Sequence, residues 1–159
     1  MGVYTLADVP SARFETKIMS GIEKAKSILK EGTYGCVFCK GDLVYSKTGI
    51  GVSPIMDLLN AQTDLRGFYA ADKIVGKAAA MLFVLAEIKE VYGGVMSEQA
   101  ANYLKQHGIK YSYGKIVDAI MNRKGTGICP MEMAVKDISE PQAAFDAIKK
   151  ARIAMSRLV

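Results

Sequence analysis

Twice in the middle of the chain a β-prone apolar run passes directly into a helix-capping residue and then a helical stretch, and this restricts the fold more than any other feature. Phe68-Tyr69-Ala70-Ala71 runs into Asp72, which predicts a helix capped by Asp72 and continuing to about Ala86. The run from Glu90 to Met96, weakened by Gly93 and Gly94, meets Ser97, which predicts a second helix to about His107, stopped by Gly108. Two strand-cap-helix units in succession imply parallel strands with right-handed crossovers. Both helix starts then lie at the carboxyl ends of the strands, where open α/β sheets gather ligands.

The flanking segments fill in the layers. Phe14, Ile18, Ile22, Ala25 and Leu29 recur at helical spacing, predicting an amphipathic amino-terminal helix over 14–30 that ends at Gly32. Residues 34–39 and 43–46 are β-prone and surround Lys40-Gly41-Asp42, which predicts an antiparallel hairpin. Ser53-Pro54 predicts a capped short helix to about Asn60. Further on, 111–113 predicts a strand and 115–121 a short helix. A long helix over 139–158 starts at Ser139-Glu140-Pro141-Gln142 and carries a core stripe of Ala144, Ile148, Ala151, Met155 and Leu158. The expected fold class is α/β, a three-layer helix-sheet-helix domain over 1–159. Its core, 33–137, holds a mixed sheet with an antiparallel hairpin and parallel strands.

Composition narrows the function classes. The chain has 159 residues, 50% hydrophobic and 23% charged, which suits one globular domain with a core of its own. Its longest apolar run, from Ala78 to Ala86, is too short to cross a bilayer. The formal charge is +5, yet Glu23, Lys24, Lys26, Lys30 and Glu31 interleave the two signs as a solvated helix face does. With no aromatic-plus-basic strand in view, this argues against a nucleic-acid partner. Three cysteines cannot all pair, and no basic-then-apolar leader is visible, which points to a reducing, cytoplasmic setting.

A second candidate site is the stretch Asn122-Arg123-Lys124-Gly125-Thr126-Gly127-Ile128-Cys129-Pro130-Met131-Glu132. Pro130 suits the first helical position and Glu132 a capping box, so Cys129 becomes the expected cap. A thiol at a helix start with Arg123 and Lys124 close in sequence is a candidate nucleophile or redox thiol, with Glu132 or an outside residue handling protons. Asn122, Arg123, Thr126 and Gly127 are candidate ligand-binding residues, because a glycine-rich loop can aim N–H groups and a hydroxyl at an anion. A tight connection between two helices explains the same glycines. Cys36 and Cys39 lie three apart along a strand, so they face opposite sides and read as structural. Of the residues at the helix starts, Asp72 can orient Lys77 or a ligand hydroxyl, and Lys73 opposes the helix dipole in a way that suits an anionic partner. Lys77, among alanines, is expected to pair with Asp72 or Glu98. Ser97 and Glu98 are candidates by position.

The segments Ala71-Asp72-Lys73-Ile74-Val75-Gly76-Lys77-Ala78-Ala79-Ala80 and Gly125-Thr126-Gly127-Ile128-Cys129-Pro130-Met131-Glu132 resemble those of an uncharacterised bacterial domain family with a cytidine-deaminase-like fold, over about 33–147. That resemblance implies the fold and a homodimer, but no established activity. Zinc deaminases place His-x-Glu or Cys-x-Glu at one helix start and Pro-Cys-x-x-Cys at the next. This chain departs from both motifs, with Asp72, Lys73 and Lys77 at the first and Ser97, Glu98, Gln99 and Ala100 at the second. Neither start offers the ligands zinc prefers, so no metal or cofactor is expected. The leading expectation is a small anionic or nucleotide-like ligand bound by Asp72, Lys73, Lys77, Ser97 and Glu98. The alternatives are a thiol enzyme or redox sensor using Cys129, and a non-catalytic interaction module.

Overall fold

Gly41 takes a left-handed φ of 58° and closes the expected hairpin between β2 (Cys36–Lys40) and β3 (Leu43–Lys47). The computed structural model of the chain describes residues 2–5 and 19–157. Four further strands, β1 (Gly2–Thr5), β4 (Tyr69–Val75), β5 (Glu90–Ser97) and β6 (Lys110–Val117), complete one mixed sheet in the order β1-β3-β2-β4-β5-β6. β4, β5 and β6 are parallel, and β2 joins β4 antiparallel with Cys36 opposite Asp72. The crossovers are α3 (Lys77–Leu85) and α4 (Glu98–Gln106), as the parallel pairing of successive strands requires.

Strand alternation sends β2 into two cores. Val37 and Cys39 join Ala25, Ile28 and Leu29 of α1 (Gly21–Glu31) on one face, while Cys36 and Phe38 join the larger cluster on the other. That larger cluster takes residues from α2 (Ser53–Asn60), α3, α4, α5 (Pro130–Ala134) and α6 (Pro141–Ser156). Helices therefore cover both faces of the sheet, with α1 on one and the others opposite.

Several expectations need correction. Ser20 caps α1 by accepting from the Glu23 N–H, later than the expected start, and Phe14 and Ile18 lie outside the described residues. Val52, not Ser53, occupies the α2 cap position. Asp72 is no cap: β4 continues through the β-branched Ile74 and Val75, and α3 begins after Gly76. The helix expected over 115–121 is absent, because Lys115, Ile116 and Val117 extend β6 alongside β5. In α6, Ala144 and Ile148 are buried as expected, whereas Met155 is 44% exposed and Leu158 lies outside the described residues. No helix among the described residues is long and apolar enough to cross a membrane.

Candidate functional site

The parallel pairing of Val75 with Met96 brings the starts of α3 and α4 side by side at the carboxyl ends of β4 and β5. Their amino-terminal donors are satisfied in different ways. Ser97 caps α4 locally, its hydroxyl accepting from the Ala100 N–H at 3.1 Å. α3 has only Gly76 before it and receives its cap from far along the chain. Glu132 of α5 accepts from the Lys77 N–H at 2.7 Å and from the Ala78 N–H at 3.0 Å. Lys77 returns the contact, donating through Nζ to the Val135 and Lys136 carbonyls at 3.0 and 3.2 Å.

These bonds lock α5 onto α3 and fill the place where the dipole of α3 would receive an anion. A side chain on Gly76 would collide with the Glu132 carboxylate, its Cβ lying 2.6 Å away. Burial pushes the Glu132 carboxyl above its usual range, against the two N–H donors and the Lys77 charge that act to lower it. Glu132 is thus not the capping box of its own helix, and Lys77 pairs with neither Asp72 nor Glu98. Glu98 is exposed.

Asp72 lies in the interior of the sheet. It is 2% exposed, across from the buried Cys36, on the face shared with Ala70 and Phe38. Oδ1 accepts from the Ile74 N–H at 3.2 Å, whereas Oδ2 has no partner with donor geometry. Burial raises this carboxyl from 3.8 to about 7. Cys36 is itself raised well above the ordinary thiol range by burial and then by the Asp72 charge, and burial carries Cys39 to about 12.

The glycine loop closes on itself. Asn122 Oδ1 accepts from the Thr126 N–H and its Nδ2 donates to the Thr126 hydroxyl, while the Asn122 N–H donates to the Gly127 carbonyl at 2.8 Å. Arg123 is exposed. Cys129 does precede α5, but its thiol makes no capping bond and packs, half-buried, against the large core. The acid expected to serve it is engaged at α3. Native protein treated with iodoacetamide at neutral pH will gain one adduct by intact mass, at Cys129. A second or third adduct before unfolding would contradict the burial and raised pKa of Cys36 and Cys39.

Lys73, next to Asp72, lies on the opposite face, where α1 and the carboxyl halves of β4 and β5 enclose a cleft of about 1030 Å³. Lys26, Lys30, Lys73, Tyr92 and Gly94 line it, with Glu23 and Glu31 at its α1 side. Lys26 stands 4.5 Å over the Tyr92 ring and pairs with Glu23 at 3.5 Å. Lys30 and Lys73 form no ion pair among the described residues. Gly94 is needed here, since a Cβ would fall 2.9 Å from the Lys73 carbonyl oxygen. Of the five residues expected to share one pocket, only Lys73 lines this cleft. Sequence reasoning missed Lys26, Lys30 and Tyr92, although the run of lysines on one helix was a visible signal. Among the described residues no group of three or more His, Cys, Asp or Glu side chains could hold a metal ion.

A family model described as a domain of unknown function, DUF1893, matches residues 24–151. The chain belongs to that family. Among solved structures it is similar to the crystal structure of a DUF1893 family protein from Thermotoga maritima. That likeness has 23% sequence identity and a TM-score of 0.73, covering 86% of this chain and 89% of the other. At this identity the likeness shows the fold. No protein with a curated description matches the chain.

Proposed function

We propose that the chain is a zinc-free protein of the cytidine-deaminase-like fold that binds a small anionic or nucleotide-like ligand in the cleft between α1 and the carboxyl halves of β4 and β5. The observation that carries this reading is the cleft wall itself, where Lys30 and Lys73, which form no ion pair among the described residues, stand beside Tyr92 and Gly94. Two ammonium groups suit a phosphate or carboxylate, and an aromatic face beside them suits a planar base. The fold assignment is supported by the antiparallel hairpin set beside three parallel strands with α3 and α4 as crossovers. A reducing, cytoplasmic setting is supported by three unpaired cysteines.

Zinc does not fit the donors at the two helix starts. The Glu132 carboxylate, held by backbone N–H groups, faces α3, and the Lys77 ammonium is beside it. Ser97 serves α4 as a cap, and neither helix start carries a cysteine or histidine in its own sequence. No deaminating step follows from such a set.

Titration calorimetry with nucleoside monophosphates and with inorganic phosphate tests the cleft. At about 100 times its dissociation constant, a ligand stabilises the native state by roughly 2.7 kcal/mol, which a thermal melt reads independently. Lys73→Ala removes an exposed side chain and will weaken binding about tenfold or more without moving the unliganded melting temperature. Binding that survives Lys73→Ala and Lys30→Ala, or no binding by any probe, would end this reading.

A further inference from the structure

β6 forms one edge of the sheet, and it is long for an edge strand. Its residues 110–117 follow β5 on one side, while among the described residues no strand pairs with the other. Tyr113 and Ile116 are 45% and 38% exposed. Unpaired N–H and C=O groups along such a strand are a template for another strand, and natural edges of this kind are usually blocked or used.

We propose that a second copy of the chain pairs here, β6 antiparallel to β6, joining the two sheets into one. The sequence of β6 selects the register. A two-fold axis perpendicular to the sheet keeps every side chain on its own face, so it must pass through a residue position, not between two. Centring on Lys115 sets that lysine against itself, which is repulsive. Centring on Tyr113 places Lys110 against Ile116. Centring on Gly114 pairs 111–117 with themselves and sets Lys110 opposite Asp118, the residue that follows β6, of the second copy at both ends. It also sets Lys115 opposite Tyr113.

Lysines on an edge strand ordinarily discourage pairing. In this register both meet a complementary group, and it is the only centring within the strand that achieves this. Lys110 and Asp118 are exposed and have no ion-pair partner among the described residues. The pairing is independent of the α1 cleft, so neither result decides the other.

Sedimentation velocity on the full chain through the micromolar range tests the proposal. The wild type is expected to dimerise, less tightly at high salt. Asp118→Lys places like charges opposite one another at both ends and will raise the dissociation constant about tenfold or more. Lys110→Glu combined with Asp118→Lys restores opposite charges and will restore the dimer, which a folding defect would not do. Circular dichroism melts of each variant confirm the folded state. A monomeric wild type, a dimer indifferent to Asp118→Lys, or a double variant that stays monomeric overturns the proposal.

Discussion

Asp72→Asn will stabilise the protein at about pH 8 by roughly 2 kcal/mol and remove most of its loss of stability between weakly acidic and neutral pH. The Asp72 carboxyl titrates near 7 in the native protein against 3.8 for an ordinary aspartate, because burial disfavours its charged form. Below about pH 4 it is neutral in both folded and unfolded chains and opposes neither state. As pH rises from there towards 7, the unfolded chain releases the proton and the native protein retains it. Stability therefore falls through this window, by about 4 kcal/mol in all, and the loss is complete above the native pKa.

Asparagine keeps the shape of the side chain and the acceptor for the Ile74 N–H, but it carries no charge to desolvate. Its Nδ2 takes the place of the unpartnered Oδ2 and becomes an unsatisfied donor, which returns on the order of 1–3 kcal/mol of the gain. Denaturant unfolding at a series of pH values reads the effect directly. Near pH 4 the variant should be the less stable by about 2 kcal/mol, and its flatter curve should cross that of the wild type as pH rises. Equal stability at pH 8, or parallel profiles throughout, would show that Asp72 is not held as a neutral acid in the core.

That residue also marks where the sequence stopped being legible. Ser97 was readable as a cap because its acceptor and the Ala100 donor lie three residues apart, within one helical turn. α3 has no such local device. Its cap sits on Glu132, more than fifty residues downstream, so sequence reasoning assigned the role to the nearest residue of a capping type, Asp72. The same locality explains Lys77 and Glu132, each given a plausible neighbour in sequence and each engaged with the other's helix. The parallel strand pair, the hairpin and α6 were legible because turn chemistry and apolar period determine them. The cleft was half legible: Lys73 stood out, but the lysines of α1 have the same pattern whether they face bulk solvent or a cavity wall. Only the placement of α1 across β4 and β5 separates the two cases.

Loss of the Glu132 clamp is the second large effect. Glu132→Ala leaves the Lys77 and Ala78 N–H groups without their acceptor and frees α5 from α3, which will cost about 2–3 kcal/mol and lower the melting temperature by roughly 5–10 °C. Hydrogen exchange locates the change, with the Lys77 and Ala78 amides losing protection ahead of the α3 interior. Glu132→Gln retains one acceptor but turns an amide donor towards the other N–H, so it will recover only part of the loss. Gly76→Ala reaches the same bonds from the other side, because its Cβ and the carboxylate cannot both occupy their positions. If the clamp is the reason for glycine at 76, the two variants remove one interaction: Gly76→Ala will add little to Glu132→Ala, and the cycle will show strong coupling. Additive losses would mean that Gly76 and Glu132 act separately, and that α3 finds another partner for its first donors.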